Sequence, residues 1–123
     1  QENTKGKDAI LRFTHAEAIS PFATLLGIHS ASVPVASVYD YNKHWKASAI
    51  IPLSANIQWI IYSNGKENLV KVLLNEKEVA LPIKTAHYPY YRWEDVRRYY
   101  LQKLQLIHTD PTADMHQYLL ELK

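Results

Sequence analysis

The stretch from Leu11 to Gly27 constrains this chain more than any other. Residues 9–13 form a short apolar run that stops abruptly in polar chemistry, the pattern of a buried strand. From Ala18 onward, Ile19, Phe22, Leu25 and Leu26 fall at the three-and-four spacing of one helical face, and Gly27 offers a left-handed stop. A strand running into such a helix predicts an α/β fold, with His15 and Glu17 at the junction. In an open α/β sheet, ligands bind beyond the carboxyl ends of strands, where a starting helix points its unpaired N–H groups and positive dipole end. An anion suits that place. An imidazole two residues before a carboxyl group can donate to a phosphoryl oxygen and pass a proton to a leaving group. On pattern alone the plainer reading is stronger: a histidine satisfied at a strand end and a carboxylate capping the helix.

The rest of the chain reads as a meander closed by a helix. Residues 1–7 are a polar lead-in, and residues 28–37, with Pro34 and several small residues, an irregular loop. In the aromatic and basic stretch 39–46, one reading is a rim where Lys43, His44 or Lys46 would meet an anionic ligand. Alternatively, Trp45 and the tyrosines pack at the core edge with the lysines solvated, and this second reading is preferred residue by residue. Residues 47–53 are a strand candidate ending or bulging at Pro52. Residues 55–62 are a second, with Ile57, Trp59 and Ile61 on one face. Asn64 and Gly65 then signal a reversal, returning the chain antiparallel through residues 69–74. A further turn at residues 75–78 leads back through residues 79–83, where Pro82 places the stretch near a sheet edge. Residues 85–92 are a loop. Glu94 and Asp95 open an amphipathic helix through Val96, Tyr99, Tyr100, Leu101, Leu104 and Ile107; Pro111 ends that region, and residues 115–122 make a last helical turn or two.

Composition narrows the chemistry. The 123 residues, 47% hydrophobic, form one segment able to hold a core. A formal charge of +2 carried by scattered Lys and Arg argues against nucleic acid, and no apolar run is long enough to span a membrane. With no cysteine there is no disulfide or thiolate metal site. The six histidines show no metal-ligand spacing, no Gly-rich phosphate loop is present, and Ser20, Ser48 and Ser54 lack nucleophile-elbow glycines. No cofactor and no metal are therefore expected.

The run Arg12, Phe13, Thr14, His15, Ala16, Glu17, followed by an apolar helix ending at Leu25, Leu26 and Gly27, resembles the second active-site motif of the histidine acid phosphatases. It is most similar to the multiple inositol polyphosphate phosphatase, or phytase, branch, where His-Ala-Glu stands in place of His-Asp. The order of Tyr41, Asn42, Lys43, then residues 49–57 and 70–77, extends the resemblance over about residues 9–105. The resemblance implies the C-terminal part of a histidine-phosphatase, phosphoglycerate-mutase-like fold: a strand and helix, an antiparallel meander and an amphipathic helix, with the sheet incomplete. It implies hydrolysis of inositol polyphosphates such as phytate through a phosphohistidine. His15 would contact phosphoryl oxygens and Glu17 would be the proton donor, implying activity on the acidic side of neutral. Lys43 and Lys46 are the candidate substrate contacts.

The family's nucleophile motif, Arg-His-Gly-x-Arg-x-Pro, occurs nowhere in the chain. The expectation is thus a single C-terminal segment, residues 1–123, partnered by a missing N-terminal part and inactive alone; the start at Gln1 fits a processed or cut piece. The alternative is a non-catalytic anion-binding or interaction domain that keeps the fold. By resemblance, a periplasmic or secreted bacterial setting is expected.

Overall fold

The computed structural model describes residues 9–110 and 112–121. The lead-in 1–7, Pro111 and Leu122 lie outside the described residues. The fold is α/β, with an open antiparallel sheet and helices packed on one face.

Helix α1 spans Ala16–Leu26 and stops at Gly27, whose φ of 74° is the left-handed conformation that glycine adopts without a Cβ penalty. Three single helical turns follow, α2 (His29–Ser32), α3 (Tyr41–His44) and α4 (Ala47–Ile50), with a 3₁₀ turn at Val38–Asp40. Strands β1 (Ile57–Ser63) and β2 (Asn68–Leu74) pair in full antiparallel register, from Ile57 opposite Leu74 to Ser63 opposite Asn68. Their connection is held by the Asn64 side chain, whose Oδ1 accepts the N–H groups of Lys66 and Glu67 at 2.9 Å each, while Gly65 takes a φ of 82°. The far edge of β2 is shared. The short strands β3 (Lys77–Glu78) and β4 (Tyr91–Arg92) pair with its two ends. Helix α5 spans Trp93–Leu106 and α6 spans Met115–Glu121.

The period-two side-chain alternation of β2 sets where the core lies. Val70, Val72 and Leu74 point to the helices and are buried. Lys71 points the other way and bonds Glu78 at 3.1 Å. Ala23 and Leu26 of α1, Ile28, Ala31 and Ile50 gather over the Leu74 end, while Leu81, Tyr91 and Val96 gather over the Val70 end. Ile57, Trp59, Val79 and Tyr100 touch both groups and join them into one layer. Each large aliphatic side chain withdrawn from water contributes about 1.5–3 kcal/mol. The buried Tyr91 hydroxyl accepts the Leu81 N–H at 3.0 Å, so the irregular stretch after β3 is tied to β4 without a ladder.

Four expectations are corrected. Residues 9–13 enter no strand: the run pairs with none of β1–β4, and Leu11 is 75% and Phe13 93% exposed, so it gains neither ladder bonds nor burial. Residues 47–53 are no strand either. Ala47, Ser48 and Ala49 lack β-branching and form the turn of α4, which swings Ile50 fully into the core. Residues 79–83 contribute one ladder-like bond, Val79 N–H to the Val72 carbonyl at 3.1 Å, and then leave the sheet. The loop expected at residues 28–37 also contains a helical turn, α2.

Candidate functional site

His15 is the N-cap residue of α1, with extended backbone (φ −105°, ψ 168°). Its carbonyl accepts the N–H groups of Ala18 at 3.0 Å and Ile19 at 3.3 Å, while its imidazole makes no capping bond. Glu17 lies in the first turn, where a carboxylate complements the positive end of the helix dipole. Pro21, one turn further on, has no N–H to give the Glu17 carbonyl. Both side chains are exposed, and among the described residues neither imidazole nor carboxylate is held by a hydrogen bond or ion pair. The two groups are close in sequence and unencumbered.

Lys43 and Lys46 are placed differently. The Lys43 ammonium is paired with the Asp40 carboxylate at 2.5 Å on an exposed surface. Lys46 is the exposed N-cap residue of α4. Among the described residues no hydrogen bond or ion pair joins either lysine to His15 or Glu17. Trp45 packs against the core as the solvated-lysine reading expects, whereas Tyr39 and Tyr41 stay 88% and 52% exposed and do not pack.

The opposite end of α1 is firmly attached. The Tyr100 hydroxyl donates to the Leu26 carbonyl at 2.7 Å, and the Lys103 ammonium donates to the Leu25 carbonyl. Burial pushes the Tyr100 phenol well above its ordinary pKa, so it remains a donor. The sequence pattern shows Tyr100 only as a face residue of a helix. Its partner is 74 positions away, and no local pattern signals such a bond. Between the two helices lies an apolar groove of about 230 Å³, lined by Phe22, Leu25, Trp59, Tyr100 and Leu104 among others. A smaller hollow of about 120 Å³ lies between the β1–β2 connection and the start of α5, around Lys66, Glu67, Arg92 and Glu94. Neither is lined by His15, Glu17, Lys43 or Lys46.

No group of three or more His, Cys, Asp or Glu is placed to hold a metal among the described residues. No helix among them is long and apolar enough to cross a membrane. No family model matches the chain. The chain is similar to the human protein multiple inositol polyphosphate phosphatase 1, at 28% identity over 116 residues. The match covers 86% of this chain and 23% of that relative, so the chain spans under a quarter of the relative's length.

Proposed function

We propose that this chain is the C-terminal part of a histidine acid phosphatase catalytic domain that removes phosphate from inositol polyphosphates. The observation that carries the reading is the similarity to the human phosphatase along 86% of the chain. The exposed pair His15 and Glu17 at the start of α1 supports it.

In this reading the attacking histidine comes from a preceding part of the polypeptide and forms a phosphohistidine. His15 donates to a phosphoryl oxygen and offsets the charge that grows there in the transition state. Glu17 gives its proton to the leaving alkoxide. In the second half-reaction its carboxylate takes a proton from the water that attacks the phosphohistidine, restoring the acid. The N–H groups opening α1 add a fixed positive field. Lys43 and Lys46 are proposed as outer contacts for further phosphates of a polyanionic substrate, with Lys43 exchanging Asp40 for substrate. In this role Glu17 acts from its protonated form.

The test is Glu17→Gln in the full-length protein, assayed on inositol hexakisphosphate and on p-nitrophenyl phosphate, whose leaving group needs little protonation. The expected result is a loss of about 10²–10⁴-fold on the inositol phosphate and a much smaller loss on the aryl phosphate. Undiminished turnover of the inositol phosphate would overturn the assignment.

A further inference from the structure

Among the described residues, helix α1 is anchored at its C-terminal end. Its buried residues, Ala23 and Leu26, both lie in the last four positions, whereas residues 16–18, Pro21 and Phe22 are exposed. At the buried end, Tyr100 and Lys103 of α5 donate to the successive carbonyls of Leu26 and Leu25, which an α-helix leaves without intrahelical partners. The Lys103 ammonium also sits at the negative end of the helix dipole. Immediately beyond, Gly27 lies against the ring of Pro82. Apolar packing of Ala23 and Leu26 and the Thr24 hydroxyl bond to the Ala31 carbonyl at 2.9 Å hold the same end, and α5 adds the two directional polar bonds to its last carbonyls.

The geometry points to Tyr100 and Lys103 as positioning residues for His15 and Glu17, acting through α1 as a lever; this rests on the reading of those two residues proposed above. From Leu26 back to Glu17 the helix runs about 13 Å, so a tilt of about 5° at the clamp moves Glu17 by about 1 Å. A displacement of that size in a proton donor costs on the order of 10²-fold in rate. The clamp can be removed with little change of shape. Tyr100→Phe keeps the ring that meets Trp59 edge-on at 6.5 Å and Tyr99 at 5.1 Å, and leaves the Leu26 carbonyl without its phenolic donor. Lys103→Met keeps the aliphatic stem beside the groove and removes the charge.

The experiment measures kcat and KM of the full-length protein for inositol hexakisphosphate and p-nitrophenyl phosphate in Tyr100→Phe, Lys103→Met and Lys103→Arg. Each is made alone and combined with Glu17→Gln. The expected result for Tyr100→Phe and Lys103→Met is a loss of kcat of about tenfold or more on the inositol phosphate. KM should change little, the loss on the aryl phosphate should be smaller, and Lys103→Arg should restore most of the rate. In the Glu17→Gln background the same substitutions should cost little more, since the donor they position is already gone. Equal losses on both substrates, or full additivity with Glu17→Gln, overturn the positioning role while leaving the proposed function standing. If Glu17→Gln itself shows no leaving-group dependence, both fall. Should Tyr100→Phe not fold, Lys103→Met at the edge of the groove decides the question by the same ratios.

Discussion

The carboxamide nitrogen of Asn75 lies 3.1 Å from the carbonyl oxygen of Ile50, 25 positions earlier in the chain. The same nitrogen donates to the Ala49 carbonyl at 3.0 Å, and Oδ1 accepts the Asn56 N–H at 3.1 Å. One side chain in the β2–β3 turn thus closes the end of α4 and fixes the approach to β1. Asn75 also has a φ of 51°, a conformation that asparagine tolerates better than most residues.

Asn75→Asp retains the acceptor for Asn56 and the tolerance of positive φ but replaces the donor that serves both carbonyls. The expected cost is about 1–3 kcal/mol. Asn75→Ala should cost more, because it also loses the bond to Asn56. Urea unfolding of the variants checks the order.

Gly27 leads to a second prediction. A Cβ added there would lie 2.8 Å from Cγ of Pro82, at a φ that disfavours any L side chain. Gly27→Ala should destabilise by about 1–3 kcal/mol. Gly65 has a similar φ of 82° with nothing within 4 Å, so Gly65→Ala should cost less, about 1 kcal/mol. The difference between the two in thermal unfolding isolates the contact with Pro82.

Tyr91→Phe removes the hydroxyl that accepts the buried Leu81 N–H and leaves that donor unpaired. A loss of about 1–3 kcal/mol is expected. Hydrogen exchange at the Leu81 amide should accelerate beyond the amount that global destabilisation explains.

The Thr112 hydroxyl and backbone N–H both donate to the Asp110 carboxylate, at 2.7 and 2.8 Å, and hold it below the ordinary aspartate pKa. A carboxyl group with a depressed folded-state pKa binds fewer protons in the folded than in the unfolded state between the two values. Its contribution is therefore complete above the unfolded pKa and is lost as pH falls through the folded one. Thr112→Ala, which keeps the backbone bond and loses the hydroxyl, should move the Asp110 midpoint upward but not fully to the ordinary value. An NMR titration of its side-chain carboxyl carbon reads this directly.

What local chemistry settles, the chain carries openly. Helix α1 and its stop at Gly27, the reversal at Asn64 and Gly65, the shared face of Ile57, Trp59 and Ile61, and helix α5 all follow from spacing and from conformational preferences that act within a few residues. The corrected elements depend on distant partners. An apolar run such as residues 9–13 becomes a strand only where it pairs with a neighbour, and here β2 takes β1, β3 and β4 as its partners while residues 9–13 join none of them. Residues 47–50 fold into a turn because Asn75 completes its carbonyls and the core accepts Ile50. The candidate site divides along the same line. The placing of His15 and Glu17 at the start of α1 is legible from the amphipathic spacing that follows them. The clamp of Tyr100 and Lys103 on the last turn of that helix joins residues 74 and 78 positions apart, and only the tertiary structure brings such groups within hydrogen-bonding distance.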